Sequence, residues 1–395
     1  MPERAVSSAW HDGGSAINLP TVVGLRADTL VLGTWRLLLA LLVVNGHLNT
    51  DWWASTFAVY SFYVISGFLI TLIMNRTYGF TRRGLLSFVA NRALRIYPPY
   101  YAAIAISLLA IALVPEAFIR GVNGVIRLPQ TAYDVASNVA IFGLHMGQPS
   151  RLVPAAWALH IELCHYLAIA ALLGRNALVS GAWLVASGVY YFQYPPRLYF
   201  ETGYFSVAGS SIAFAVGACA FHARPYLRRL QRGRAASLFL LAAVIAYSMP
   251  YVAVKFYGAN PMLRAFTANI VTSAVLLVAL TGFGEVPARL RRLDAWLGNL
   301  SYPVYLFHQS TGVLVLYATG IAVHTPDAFV LTALATLSLA AIEARFLSDP
   351  IEKMRSGIKG RLRSGTGACA PSVSPSPGGV EIPISPGRKV PRPQD

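Results

Sequence analysis

Residues 30–48 read LVLGTWRLLLALLVVNGHL, and this stretch decides the fold. It holds one arginine, Arg36, and one histidine, His47, in an apolar run that is otherwise without charge. A run of about twenty such residues forms a helix long enough to cross the roughly 30 Å hydrocarbon core of a bilayer. Similar runs recur at 155–173, 235–256 and 262–282. The pattern predicts a bundle of membrane helices.

The composition supports this prediction and excludes a soluble domain. Of the 395 residues, 55% are apolar and only 12% are charged, whereas soluble domains have about a quarter of their residues charged. The formal net charge is +16, but the basic residues stand in short clusters between apolar runs, as orientation signals do. We therefore expect no nucleic-acid partner. Cys164, Cys219 and Cys369 lack the spacing of a disulfide framework or a metal site.

The runs predict an all-α, polytopic transmembrane helical bundle of about ten spans. The spans are placed near 30–48, 56–75, 98–115, 155–173, 176–194, 203–222, 235–256, 262–282, 296–318 and 327–347. Residues 1–27 are expected to form a cytoplasmic segment without a signal peptide, and 28–350 the membrane domain. Residues 351–395, basic and then rich in Pro, Ser and Gly, are expected to be a disordered cytoplasmic tail.

Four clusters of basic residues orient this bundle. They lie at 76–95, 224–234, 289–292 and 353–363, and the positive-inside rule places all four in the cytoplasm. An even number of spans must then separate consecutive basic clusters, and the ten spans give four, two and two. Residues 116–154 become a long external loop, in which 135–146 is expected as a short or re-entrant helix.

Arg36 and His47 lie on one face of the first predicted helix. They are eleven residues apart, which is three turns plus about 20°, and roughly 16 Å along the axis. An arginine near the centre of a span costs about 2.5–3.5 kcal/mol, so it is retained with a partner, a cavity or a function. The alternative is that Arg36 reaches the headgroups and that His47 is merely interfacial.

Five motifs, in order, resemble the acyltransferase-3 family of membrane O-acyltransferases. Arg36, ten residues and His47 resemble its first-helix signature, and FYVISGFLI at 62–70 resembles its second-helix motif. NRALRIYPPYY at 91–101 carries its Arg-x-x-Arg pair. WALHIELCHY at 157–166 and LGNLSYPVYLFHQ at 297–309 resemble two further elements. The resemblance covers about residues 30–350. It implies an enzyme, an acyltransferase that transfers groups other than aminoacyl groups.

The resemblance also implies roles for these residues. His47 would act as the general base that takes the proton of an acceptor hydroxyl, for which a histidine is suited at neutral pH. Arg92 and Arg95, with Arg36, would bind the phosphates of acyl-coenzyme A, the co-substrate, through charge-assisted hydrogen bonds. The alternative for the Arg-x-x-Arg pair is ordinary positive-inside charge.

The chain departs from the family at one position and leaves other residues to be assigned. Relatives often carry Val-Asp before the second motif, whereas this chain has Val59 and Tyr60. Glu162, or a hydroxyl such as that of Tyr60, is therefore a candidate for the role of the absent carboxylate in orienting the histidine. Glu162 lies in an apolar run and is expected to have a partner or be protonated. His47, His160 or an arginine could be that partner. His308 ranks second to His47 as a catalyst, although helix-to-helix hydrogen bonding explains it equally well. His160 and His165 are expected in the core.

The predicted function is transfer of an acyl group, most simply acetyl, from acetyl-coenzyme A to a hydroxyl of a saccharide or lipid-linked glycan. The chain would lie among membrane lipids as a multi-pass protein of the bacterial inner membrane. A transporter of a polysaccharide precursor or small anion is the alternative. A structural scaffold would leave Arg36 and His47 unexplained. The acceptor, the acyl chain length and the oligomeric state stay open.

Overall fold

The computed structural model describes residues 32–49, 52–193, 203–226, 233–257, 262–281, 287–352 and 354–355. Within these ranges the chain is helical and contains no β-strand, which confirms the predicted all-α fold. The predicted segment 1–27 and nearly all of the predicted tail 351–395 lie outside the described residues.

Twelve α-helices follow one another in the described ranges. They are α1 (Gly33–Leu48), α2 (Trp52–Ile73), α3 (Arg82–Leu113), α4 (Glu116–Asn123), α5 (Ala132–Ala140), α6 (Ala156–Ala168), α7 (Ala177–Phe192), α8 (Val207–Ala223), α9 (Gly233–Tyr257), α10 (Met262–Thr281), α11 (Ala288–Thr319) and α12 (Pro326–Glu343). A π-helical turn extends three of them: Met74–Tyr78 after α2, Ile169–Leu173 after α6 and Ala344–Ser348 after α12.

Seven of the described helical segments are long and apolar enough to cross a membrane. They are Trp53–Tyr78, Arg82–Leu113, Ala156–Leu173, Val207–Tyr226, Ala236–Val254, Arg264–Thr281 and Pro326–Glu352. The apolar helices α1 and α7 are shorter. α11 is not among the seven, although it is 32 residues long, and its buried face carries polar side chains. The multi-pass helical class is confirmed, whereas the count of about ten spans stays a prediction.

Two helices begin earlier than the apolar runs indicated. The spans were predicted to begin at 98 and 296, but α3 begins at Arg82 and α11 at Ala288. Arginine is a good helix former, so a helix continues through basic residues after its apolar part has ended. The Thr81 hydroxyl caps α3 by accepting a hydrogen bond from Gly84 N. Arg92 and Arg95 therefore lie on a helix and not in a connector.

α2 lies at the centre of the bundle. In its most apolar stretch 78% of the residues are buried, against 17% for α9, which packs at the periphery. α2 crosses α8 where Gly67 and Gly217 let the backbones meet: a Cβ on Gly67 would lie 2.1 Å from Phe214 O, and one on Gly217 2.0 Å from Val64 O. Small residues at such crossings allow close packing inside a membrane.

The connection 116–154 is folded and contains the short helices α4 and α5. Three tyrosines of the YPPYY segment on α3 donate hydrogen bonds to three consecutive carbonyls at the end of α5. Tyr100 Oη meets Asn138 O at 2.6 Å, Tyr101 Oη meets Val139 O at 3.2 Å, and Tyr97 Oη meets Ala140 O at 2.7 Å. The last carbonyls of a helix have no partner within the helix and need such donors. α5 therefore ends against the middle of α3.

Further hydrogen bonds attach this connection to α3 and α11. Ser107 Oγ, on α3, donates to Leu152 O at 2.5 Å and also contacts Ser310 Oγ of α11 at 2.6 Å. Asp134, at the start of α5, accepts from Thr131 Oγ1 and Gln148 Nε2 at 2.8 Å each. These donors, the Thr131 hydroxyl first, hold the pKa of the Asp134 carboxyl below its usual range. Residues 116–154 are thereby held near the C-terminal half of α11, the half that contains His308.

Candidate active site

A cavity of about 910 Å³ lies between α1, α2, α3, α6 and α11. All three arginines that the sequence indicated as donor-binding residues line it, and so does Glu162. Three further arginines, from the ends of other helices, line it as well. The six are Arg36, Arg76, Arg92, Arg95, Arg291 and Arg355, and the described lining contains two carboxylates, Glu162 and Asp294. The cavity is therefore strongly basic, as a site for a polyanion must be.

Asp294 caps α1, and its negative charge also attracts Arg36. Its carboxylate accepts hydrogen bonds from Gly33 N, Thr34 N and Thr34 Oγ1, each at 2.8 Å. An acidic group at a helix N-terminus satisfies free N–H groups and interacts favourably with the helix dipole. The same crossing is tight, since a Cβ on Gly298 would lie 2.8 Å from Gly33 Cα. α1, and with it Arg36, is thus fixed against α11.

Arg92 and Arg95 lie one turn apart on α3 and face the cavity. The Arg92 guanidinium packs over the rings of Phe88 and Tyr166, at 5.6 and 5.7 Å from their centroids, an arrangement that orients the cation. The positive charge of Arg95 acts on Arg36, Arg92 and Arg355. These positive charges repel one another, and an anion bound among them would offset that repulsion.

Arg355 reaches the cavity from beyond the end of α12. Its Nε and Nη2 donate to Asn91 Oδ1 at 3.1 and 2.9 Å, and its Nη1 pairs with Glu352. Burial lowers the pKa of the Arg355 guanidinium, and the charge of Arg95 lowers it further. Arg355 thereby joins the end of α12 to α3 beside Arg92.

Glu162 lies on α6, where its carboxylate has a hydroxyl partner. Tyr166 Oη donates to Glu162 Oε2 at 2.8 Å and also contacts Ser66 Oγ at 3.1 Å. Glu162 lies near enough to Arg36 and Arg92 for their charges to attract it. The hydrogen-bond partner is thus Tyr166, which the sequence did not indicate, and the arginines act on Glu162 through their charge. Glu162 belongs to the arginine end of the site.

His47 and His308 lie together. Their ring centroids are 5.3 Å apart and their planes are inclined by 33°. His47 is exposed at the end of α1, whereas His308 is fully buried on α11. His308 Nδ1 lies 2.8 Å from Tyr305 O, while His308 Nε2 is buried and has no hydrogen-bond partner among the described residues. The first two candidates for a base thus form one pair.

The histidine pair lies beyond the residues that line the cavity, and Tyr305 connects the two regions. Tyr305 lines the cavity, and its ring centroid is 6.3 Å from that of His308. Its hydroxyl donates to Ala155 O at 3.1 Å. Because α1 is one continuous helix, Arg36 and His47 remain on the same face, roughly 16 Å apart in depth.

Other residues considered from the sequence lie away from the reacting groups. The His165 ring is buried and stacks on Phe214 at 4.1 Å, as expected of a core residue. His160 Nδ1 accepts from Gly143 N at 3.3 Å, outside the cavity lining. Tyr60 packs against Tyr204 at 5.1 Å in an aromatic cluster. Whether Tyr60 or Glu162 replaces the absent family carboxylate stays a prediction.

The sequence did not single out five residues of this cavity, namely Arg76, Arg291, Arg355, Asp294 and Tyr166. The three arginines lie in clusters that the sequence indicates only as orientation signals, and Asp294 stands between Arg292 and the fifth motif. Asp294 is the acidic residue nearest to a run of arginines, which could have marked it as unusual. Its partner, however, is 261 residues away, and no local pattern indicates such a contact.

The arrangement brings together a site for an anion and a pair of imidazoles, one exposed and one buried. The described residues contain no cluster of His, Cys, Asp and Glu able to hold a metal ion. A polyanionic donor bound among the arginines would direct its other end past Tyr305 toward the histidines. Imidazole is suited to proton transfer near neutral pH. The geometry is therefore compatible with transfer of a group from an anionic donor to an acceptor that reaches His47.

Comparison with known proteins agrees with this chemistry. A family model described as an acyltransferase domain matches residues 32–344. This region contains α1 to α12 with all six predicted site residues. No curated protein and no solved structure matches the chain.

Proposed function

The chain belongs to the acyltransferase-3 family, and from that premise we propose that it moves an acyl group, most simply acetyl, from acyl-coenzyme A to a saccharide or glycoconjugate hydroxyl. It is a multi-pass membrane acyltransferase, and we place it in the bacterial inner membrane with the donor bound from the cytoplasm. The observation that carries the choice of donor is the cavity with six arginines. Coenzyme A carries several phosphates, which guanidinium groups bind well.

The proposed reaction is direct transfer. The nucleotide end of the donor is held among Arg36, Arg92 and Arg95, while its long arm extends past Tyr305. The acceptor hydroxyl approaches His47, which is exposed, and its oxygen attacks the thioester carbonyl as His47 takes its proton. The carbon–sulfur bond then breaks, and the thiolate of coenzyme A takes the proton from His47. No net proton is released, and no metal or covalent enzyme intermediate is required.

The acceptor is tested in cells by comparing glycans. A strain that lacks the gene is complemented with the parental gene or with the His47→Gln variant, and its surface glycans are analysed by mass spectrometry. We expect the deletion to remove acetyl groups, the parental gene to restore them, and His47→Gln to fail. Glycans of unchanged acylation in the deletion strain would rule out the proposed acceptor.

The donor is tested separately with purified protein. Acetyl-coenzyme A is expected to bind in a calorimeter, and to bind less tightly after removal of its phosphates. Binding of dephosphorylated fragments with equal affinity would contradict the assignment of the basic cavity to the donor. This experiment contains no acceptor, so a negative result would contradict the proposed donor and would say nothing about the acceptor.

A further inference from the structure

We propose that His308 is a positioning residue for His47: its Nε2 accepts the N–H of the His47 ring and so holds His47 with its other nitrogen free to take the acceptor's proton. The inference rests on the proposed function and deepens it. It assigns the two histidines different roles, where the sequence ranked them as alternatives for one role.

The hydrogen bonds of His308 determine which of its nitrogens can accept. Nδ1 lies 2.8 Å from the carbonyl oxygen of Tyr305, three residues earlier on α11. A carbonyl can only accept, so Nδ1 carries the proton and donates it. In the neutral ring, Nε2 is then a bare acceptor. Because Nδ1 faces the backbone of its own helix, Nε2 lies on the opposite edge of the ring.

That acceptor is left without a partner inside the protein. The His308 side chain is fully buried, and Nε2 makes no hydrogen bond to the described residues. An unpaired buried acceptor costs about 1–3 kcal/mol. A leucine of similar volume would avoid this cost. An unsatisfied group in such a place indicates a partner that is engaged only at some stage of the reaction cycle.

His47 is the ring that can supply the donor. Its centroid is 5.3 Å from that of His308. Each ring nitrogen lies about 1 Å from its centroid, so this separation matches two imidazoles joined edge to edge by an N–H···N bond of about 3 Å. The planes of the two rings are inclined by 33°, and rotation of the His47 side chain would align its N–H with Nε2. The His47 side chain is exposed and makes no hydrogen bond in the described structure, so nothing there opposes this rotation.

The proton movements remain balanced with this assignment. His47 donates one N–H to His308 Nε2, and its second nitrogen removes the proton from the acceptor hydroxyl. His47 is then an imidazolium and His308 is neutral. When the thiolate leaves, the same nitrogen of His47 returns the proton to sulfur. His308 never changes its protonation state and does not touch either substrate.

The experiment compares variants that keep or remove an acceptor at the position of Nε2. His308→Gln places a carbonyl oxygen there, whereas His308→Leu places a methyl group. Purified variants are assayed with radiolabelled acetyl-coenzyme A and permeabilised membranes of the deletion strain as the acceptor source. We expect His308→Leu to lower kcat on the order of 10–100-fold, as the loss of an orienting residue does. The KM for acetyl-coenzyme A should stay unchanged. His308→Gln should recover much of the lost rate.

The unfolding midpoint in detergent separates positioning from packing. His308→Leu removes an unsatisfied group, so its midpoint should be equal to or above that of the parental protein while its activity is lower. Thr311→Val is the matched control, because Thr311 Oγ1 is also buried and unpartnered on α11. It should leave kcat unchanged. If His308→Leu does not fold, His308→Met is the second apolar variant.

Two results would overturn the inference. One is a parental kcat in the apolar variant, and the other is a His308→Gln variant no more active than His308→Leu. In either case the parental protein transfers acetyl groups, so the proposed function stands. No transfer by the parental protein would overturn the proposed function, and the role of His308 would fall with it.

Discussion

Arg92 and Arg95 lie one turn apart on α3, and their place in the structure separates two explanations for them. A pair that only orients the helix would lie among the headgroups, whereas both arginines line the basic cavity and Arg92 packs over Tyr166. Side chains held in this way are already oriented for a ligand, which lowers the entropy cost of binding.

We expect Arg92→Ala or Arg95→Ala to weaken acetyl-coenzyme A binding by about 2 kcal/mol, roughly 30-fold, because a charge-assisted hydrogen bond is lost. Isothermal titration calorimetry of purified protein measures it. Arg83→Ala is the control, since Arg83 is on the same helix, exposed and outside the cavity lining. Equal losses in all three variants would indicate general electrostatics and not a binding site.

His47 and Arg36 stand on one face of α1 at different depths, so their replacement should produce different defects. We expect His47→Ala and His47→Gln to lower turnover about 10²–10⁴-fold, the usual contribution of a general base, with donor binding intact. Arg36→Ala should weaken both binding and turnover. Turnover is measured with labelled acetyl-coenzyme A and binding by calorimetry. His160→Gln, outside the site, is the control. Near-parental turnover of His47→Gln would exclude His47 as the base.

At the scale of single residues, the sequence predicts which side chains share a face of one helix. The spacing of Arg36 and His47 decides their common face because α1 is continuous from Gly33 to Leu48. The pairing of His47 with His308 and the cap that Asp294 provides for α1 depend on how α1 packs against α11. No spacing within either helix contains that information, so these contacts were not foreseen.

At the scale of elements, the crossing of α1 and α11 carries both histidines and Arg36. Gly298→Ala would place a Cβ 2.8 Å from Gly33 Cα, and that overlap is with backbone. The helices must then separate. We expect a loss of roughly 1–3 kcal/mol, typical of overpacking, and lower turnover as the ring pair opens. Thermal unfolding in detergent and the acetyl transfer assay measure these effects.

The control for this prediction is Gly188→Ala on α7. A Cβ there would meet nothing within 4 Å, and alanine is the better helix former. We expect this variant to unfold at an equal or higher temperature. If Gly298→Ala behaves in the same way, the close approach of α1 and α11 is not required.

α3 supplies the hydrogen-bond donors for the last carbonyls of α5. Tyr100→Phe removes the donor to Asn138 O, a buried contact of 2.6 Å, and we expect a loss of about 1–2 kcal/mol in detergent unfolding. Tyr101→Phe is the matched control, because the hydroxyl of Tyr101 is exposed and water can replace it. Its effect should stay within about 0.5 kcal/mol. Two equal losses would contradict the role assigned to burial.

The helices themselves were predicted well where an apolar run has clear ends. The run 155–173 corresponds to α6 with its π-helical turn, and 262–282 to α10. The prediction failed where helices continue into basic residues, as at the start of α3 and of α11. Hydropathy reports the part of a helix that contacts lipid, and a helix that projects beyond the bilayer is longer than that part.

At the scale of the whole molecule, the predicted orientation requires α7 and α11 to cross the membrane, although neither is among the seven helical segments that are long and apolar enough to do so. With α7 and α11 counted, four helices, α3, α6, α7 and α8, separate the basic clusters 76–95 and 224–234, two helices, α9 and α10, separate the next pair of clusters, and α11 and α12 separate the last pair. α5 does not add a crossing, because it ends against the middle of α3. An even number of crossings between each pair of clusters would put all four basic clusters on one side of the membrane.

We therefore expect both termini and residues 223–234 to face the cytoplasm, and 116–154 to face outward. In a variant whose Cys164 and Cys219 are replaced, Cys369 reports on the C-terminal region, and Arg228→Cys and Gln130→Cys report on the two connections. A membrane-impermeant maleimide should label Gln130→Cys in intact cells, but label Cys369 and Arg228→Cys only after permeabilisation. Each variant is first shown to transfer acetyl groups, so that labelling is read from folded protein. Labelling of Arg228→Cys in intact cells would make the number of spans odd on both sides of 223–234 and would overturn the predicted span count. Labelling of Cys369 in intact cells would instead place the C-terminal region, which follows Arg355 of the cavity, on the outer side. The arginine cavity would then open away from the cytoplasmic pool of acyl-coenzyme A, and direct transfer through the bundle would no longer be possible.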